Sequence, residues 1–182
     1  MAFLECNSMK LRAIEPEDLE LIYKWENSSE LWIVSNTLAP FSKYVLKHYV
    51  ENSQLDIYET KQLRLMIDVL SENEKPKTVG CIDLFDFDPY HLRAGIGVLV
   101  YNKDDRKKHY ATDALSLLVD YCFNYLHLHQ LYCNIATDNE SSRKLFEHLG
   151  FAIVGEKRDW LRTKNGWLGE YLMQVISKQN HI

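Results

Sequence analysis

Ile96-Gly97-Val98-Leu99-Val100-Tyr101, followed after a short gap by Arg106-Lys107-Lys108-His109-Tyr110-Ala111, is the passage on which the fold turns. The first six residues read as an apolar strand. Beyond the basic hexapeptide, Ala111, Ala114, Leu115, Leu118, Tyr121, Cys122 and Tyr125 recur at i, i+3, i+4 and i+7, which predicts a packed helix over 111–126. A cationic loop at a helix N-terminus offers unpaired backbone N–H groups backed by the positive end of the helix dipole. A pyrophosphate suits such a corner. A solvated basic turn fits the same residues, so the order of the surrounding elements decides the matter.

Working outward, Met9 to Ile14 alternates as a first strand, and Pro16 opens a helix with Leu19, Ile22, Tyr23 and Glu26 on one face. The stretch from Asn27 to Pro40, with Trp32, Ser35, Asn36 and Thr37, reads as a short helix and loop of the kind that shapes a groove. Phe41 to Asn52 is helical in pattern, with Tyr44, Val45, His48 and Tyr49 suitably spaced. Leu63–Val69 and Thr78–Phe87 are strands joined by a polar loop, Ser71 to Lys77, and Arg93–Tyr101 follows a turn at Asp88-Pro89-Tyr90-His91. Leu131–Ala136 is a further strand. A helix beginning at Asp138-Asn139-Glu140 ends at Gly150, with Leu145, Phe146 and Leu149 facing inward. Phe151–Arg162 and Trp167–Ile176 pair across Asn165-Gly166. The order predicts one α+β domain over residues 1–182, a central mixed and mostly antiparallel twisted sheet flanked by helices, closing on a β-hairpin.

The 182 residues carry a formal charge of −5 and are 46% hydrophobic, enough to bury a core and too acidic for a nucleic-acid binder. Four cysteines, at 6, 81, 122 and 133, show no metal-ligand spacing and read as buried thiols of a reducing compartment. His127, His129 and His148 form no ligand set, so no metal is expected. No run approaches the ~18 apolar residues of a spanning helix, and no leader stands at the N-terminus, so a soluble cytoplasmic protein is expected, with no membrane partner.

Three segments resemble the GNAT family of N-acetyltransferases. Arg106 to Ala111 is similar to that family's [RQ]-x-x-G-x-[GA] loop, and Asn139 to Phe151 to its N-x-x-[AS]-x-x-[LI]-[YF]-x-x-x-G-F element. Val79 to Asp86, with Arg93 to Gly97, is similar to the central antiparallel pair. Within the family the chain most resembles the branch of spermidine/diamine and ribosomal-protein N-terminal acetyltransferases. The resemblance implies a GNAT-type domain using acetyl-CoA as cosubstrate. Leu99, Val100 and Tyr101 would pair with pantetheine. Arg106, Lys107, Lys108, His109, Tyr110, Ala111 and Thr112 would form the pyrophosphate cradle. Asn139 and Ser142 would meet the cofactor arm, and Phe146 would face the thioester sulfur. A homo-oligomer is implied as well.

The sequence departs from the family at three positions. His109 stands where the first loop glycine is usual, Phe146 where many relatives carry an acidic Tyr, and Gly95 where many carry a Glu. An amine with a pKa near 10 must lose a proton before it attacks a thioester. Asp83 is the leading candidate for base or ammonium anchor, by its match to an acidic residue of the polyamine enzymes, and a polar residue on an exposed strand face fits it equally. Asp86 falls outside the alternation set by Asp83, and His91 and Tyr110 are weaker candidates. Trp25, Trp32, Trp160 and Trp167 could line a groove for an aliphatic amine, and Glu26, Glu30 and Glu51 could hold distal ammonium groups. The expected reaction is acetyl transfer to a primary amine, first a small polyamine such as spermidine, by direct attack. A protein N-terminus or lysine, and a CoA-binding relative without catalysis, stand as alternatives.

Overall fold

The computed structural model describes residues 3–35, 37–71 and 74–178. Fourteen helices and strands of regular type run in the order β1 (Glu5–Cys6), β2 (Met9–Arg12), α1 (Leu19–Glu26), α2 (Ser29–Ser35), α3 (Lys43–Glu51), α4 (Ile57–Thr60), β3 (Leu63–Ser71), β4 (Glu74–Asp88), β5 (Arg93–Val100), α5 (Tyr110–Asp120), β6 (Gln130–Ala136), α6 (Glu140–His148), β7 (Ala152–Thr163) and β8 (Gly166–Ile176). The strands form a single sheet ordered β1-β2-β3-β4-β5-β6-β8-β7. Every adjacent pair is antiparallel except β5 and β6.

Each sheet face packs against helices because the strands alternate. On one face, Ile67, Ile82, Leu84 and Ile96 pack with Leu115, Leu118 and Phe146 in the larger apolar cluster. On the other, Met66 and Cys81 meet Ile22 and Trp25 of α1 and Leu46 and Val50 of α3. Burial of this extent supplies the main favourable free energy of such a fold.

Some expected bounds shift. The polar hairpin loop is shorter than expected, since Ser71 pairs with Glu74 and Val69 with Lys77, so most of the 71–77 segment is strand. α3 starts after Ser42, whose hydroxyl accepts from the Val45 amide at 3.2 Å, and it buries Leu46 and Val50, leaving Tyr44 and Val45 exposed. The long helix is regular only to Asp120. Residues Tyr121–Tyr125 then widen into a π-turn, with the Leu126 amide donating to Tyr121 five residues back at 3.0 Å. Asn36 lies outside the described residues.

Candidate active site

β5 pairs with β4 from Gly80↔Val100 down to Asp88↔Arg93. On its other side, β6 runs parallel and pairs only through Arg93↔Gln130, Ala94↔Leu131 and Gly95↔Tyr132. β6 nevertheless continues to Ala136, held there by β8. The two strands therefore part at Gly95 and Tyr132, leaving a fork with the β5 backbone of Ile96–Val100 along one side. An extended ligand rich in amides can add to such an edge as a strand would. Leu99 and Val100 lie on it, and Tyr101 follows directly.

The chain leaving β5 forms the basic loop. A 3-10 turn, Lys103–Asp105, begins it. Asp105 is buried; its carboxylate accepts from Lys77 Nζ at 2.7 and 2.8 Å and from Asn102 Nδ2 at 3.4 Å, and Lys108 Nζ lies 3.5 Å away. The hydrogen bond from Lys77 outweighs desolvation and holds the Asp105 carboxyl below its ordinary range. Arg106 folds back on the strand it left, Nε donating to the Val100 carbonyl at 3.2 Å and the guanidinium also reaching Tyr101 at 3.4 Å.

Lys107 (φ 60°) and His109 (φ 63°) are both left-handed, a backbone alternation of the type that forms anion-binding concavities. A Cβ at 109 is thus carried in a conformation that glycine adopts at no steric cost. No side chain caps α5, so the leading amides of Tyr110, Ala111 and Thr112 have no side-chain acceptor, and the first backbone bond runs from Asp113 to His109 at 2.9 Å. Uncapped donors, the dipole and Lys107 fit a pyrophosphate. α6 differs: Asn139 Oδ1 accepts from the Ser142 amide at 3.1 Å, which is a side-chain cap. Phe146 sits in the core, 4% exposed, with its ring edge-on to Phe151 at 5.1 Å.

Register places two rows across the face that α1 and α3 cover. Arg64, Asp83 and Gly97 form one; Phe85, Gly95 and Tyr132 form the next. Asp83 does not stand free. Arg64 grips both its oxygens, Nε to Oδ1 at 2.6 Å and Nη2 to Oδ2 at 3.0 Å, and also donates to Glu26. Burial disfavours the Arg64 charge, but Asp83 outweighs it and the guanidinium titrates well above its ordinary value. Accepting a proton at Asp83 therefore means loosening a bidentate ion pair. Tyr49, whose ring lies 5.8 Å from the guanidinium, has its phenol pushed up to about 12 by burial.

The second row explains the missing carboxylate at 95. A Cβ built there would lie 2.2 Å from Cε2 of Phe85, so the Phe85 ring fills the space of a side chain. That ring meets Tyr132 edge-on at 6.0 Å, and the Tyr132 hydroxyl donates to Asp86 at 2.9 Å. Asp86 is left-handed (φ 49°) and falls in the register shift between Phe85 and Asp88. Its departure from the alternation is thus a bulge that turns its carboxylate toward β6. Arg64, Phe85 and Tyr132 escape a reading of the sequence, because their roles depend on register between distant strands.

The remaining candidates scatter. His91 pairs with Asp88 at 2.7 Å in the turn, and Tyr110 begins α5 half-buried. Trp25 stacks on Tyr101 at 5.9 Å, Trp32 donates to the Glu26 carbonyl, and Trp160 and Trp167 are exposed on β7 and β8. Glu30 meets Lys103 at 3.5 Å, and Glu51 meets Lys47 and His48 on the surface. Two surface hollows, one by Phe3 and Tyr125 and one between α5 and the β7·β8 pair, lie away from the fork and hold none of these groups. Among the described residues no group of His, Cys, Asp and Glu could hold a metal ion, and no helix is long and apolar enough to cross a membrane.

Known proteins share this fold. The profile of the acetyltransferase (GNAT) domain matches residues 8–152. Spermidine N(1)-acetyltransferase of Escherichia coli strain K12 is 27% identical over 153 residues, covering 82% of this chain and 76% of the relative. The crystal structure of spermidine N-acetyltransferase from Vibrio cholerae, in complex with CoA and spermine, superposes with a TM-score of 0.80 at 19% identity, over 94% of this chain and 96% of that one. A dodecameric structure of the Vibrio cholerae enzyme superposes with a TM-score of 0.75 at 21% identity, over 94% and 95%. With a family profile spanning most of the chain, a sheet that parts beside an uncapped helix N-terminus, and these relatives, the chain belongs to the GNAT family of acetyl-CoA-dependent N-acetyltransferases.

Proposed function

We propose that this enzyme acetylates a primary amine of a small polyamine such as spermidine, by direct attack of the neutral amine on the thioester of acetyl-CoA. The fork between β5 and β6 would take the pantetheine arm along Leu99 and Val100, and the 106–112 corner would take the pyrophosphate. The observation that carries the acceptor class is the acidic surround on the α1/α3 face. Glu26 and Asp83 share the single cation of Arg64, leaving one net negative charge, and Asp86 stands in the bulge just past the next row of the sheet. A chain of ammonium groups is attracted there, whereas a peptide N-terminus gains less from repeated carboxylates. Spermidine acetylation by the Escherichia coli relative supports the same class.

Asp83 then anchors an ammonium group in concert with Glu26. Asp83→Ala is expected to lower turnover with polyamine on the order of 10²-fold, with acetyl-CoA affinity nearly unchanged. The primary test is release of CoA thiol from saturating acetyl-CoA with polyamines, N-terminal peptides, lysine peptides or no acceptor. Preference for a polyamine supports the proposal; a better peptide acceptor replaces it. A second reading is favoured by one observation: Arg64 engages both oxygens of Asp83, and position 146 is a Phe, which has no proton to give. Silence across the panel, with CoA binding intact, would select that reading of a cofactor binder without catalysis.

A further inference from the structure

Two proton-handling groups usual at this kind of site have no counterpart at positions 95 and 146, which hold Gly and Phe. The fold supplies other groups at the same place. We propose that Tyr132 is the acid that protonates the departing CoA thiolate, and that Asp86 both positions it and takes up the proton that the attacking nitrogen sheds. This inference rests on the acetyl transfer proposed above.

Three observations converge on Tyr132. Gly95↔Tyr132 is the last rung before β5 and β6 part, so the Tyr132 side chain stands at the apex of the fork. It shares a face with Arg64, Asp83 and Phe85, the side on which the acceptor would lie. Its hydroxyl is fixed by Asp86 at 2.9 Å and its ring by the edge of Phe85 at 6.0 Å, so the phenol is held from two directions. Asp86 reaches it only through a left-handed residue in a β-bulge. Strained backbone of this sort persists where the surrounding structure requires it and gathers at functional sites. Burial first, and the Asp86 hydrogen bond next, push the phenol up to about 12, so it holds its proton at neutral pH.

The proton account closes within the pair. The amine nitrogen bonds to the thioester carbonyl carbon, the C–S bond breaks, and its electron pair goes to sulfur. Tyr132 gives its proton to that sulfur. The nitrogen, now an amide nitrogen, sheds its extra proton to Asp86, which returns it to the Tyr132 oxygen. The products are the acetamide and CoA thiol, with both residues restored. Position 146 then needs no hydroxyl, and position 95 needs no carboxylate.

The experiment compares wild type, Tyr132→Phe and Asp86→Asn in two readouts. Steady-state kinetics should show kcat for Tyr132→Phe lowered on the order of 10²-fold, with KM for amine and the CoA Kd from calorimetry within about twofold of wild type. Separately, fluorotyrosine placed at position 132 is followed by fluorine NMR. Its resonance should move when CoA is added, and its titration midpoint should fall in the Asp86→Asn background, since the hydrogen bond that raises it is gone. A Tyr132→Phe enzyme with wild-type kcat, or a fluorine signal blind to CoA, overturns the inference while the acetyl transfer stands. No acceptor-dependent turnover in wild type overturns both. Equal loss of kcat and of CoA affinity, with a lowered melting temperature, assigns Tyr132 a packing role instead.

Discussion

Gly95 shows how one missing Cβ fixes its neighbours. Because Phe85 lies across it, any side chain at 95 must drive the ring off its contact with Tyr132. Overpacking of this kind costs about 1–3 kcal/mol. Gly95→Ala is therefore expected to lower stability by about that amount in urea unfolding, and pairing it with Phe85→Ala should recover part of the loss. Simple additivity of the two changes would show that the ring and position 95 are independent. His109 is a different case: its backbone is left-handed at φ 63°, so it carries a Cβ in a conformation that glycine adopts without steric cost.

At the scale of elements, the entry to α1 is tied to the sheet by the Arg12 guanidinium. Arg12 on β2 bonds Asp18, at the entry to α1, at 2.6 and 2.9 Å, and Asp68 on β3 at 2.7 Å. Desolvation opposes ionisation of Asp18, but its hydrogen bonds from Arg12 and the Glu15 amide prevail and its pKa is lowered. A depressed carboxyl contributes stability above its unfolded pKa, near 3.9, and that contribution is lost as pH falls through the folded value. Asp18→Asn should thus cost on the order of 3 kcal/mol at pH 7, and the gap to wild type in urea midpoint should close as pH drops below about 4. A constant gap across that window would assign the loss to packing. Elements like α1, α5 and α6 were legible in the sequence because their apolar stripes are local. The two-residue β1 and four-residue α4 carry too little pattern to be read. The three-rung β5·β6 ladder and the grip of Arg64 on Asp83 depend on which strands meet and in what register. No periodicity within one strand encodes that.

For the whole molecule, the sheet ends on one side in β7, a strand of 12 residues with no further strand beyond it among the described residues. Glu156, Lys157, Arg158, Asp159 and Arg162 and two register shifts protect this edge, yet large apolar side chains stand exposed beside them. Ile153, Val154 and Trp160 are 43%, 53% and 58% exposed, and Trp167 and Ile176 on β8 add 59% and 53%. Exposed apolar side chains along a sheet edge can serve as a contact with another molecule, and a second copy of this chain is the occupant to test. Light scattering should accordingly give a mass above the 21.4 kDa of one chain at micromolar concentration. Trp160→Glu together with Val154→Lys should shift the population toward monomer and leave the fork, on the opposite side of β6 from this edge, able to bind CoA. A wild-type monomer would show that the edge meets a different partner. A variant that stays assembled would place the contact on another surface, and the charged pair would then be tolerated because it faces only water.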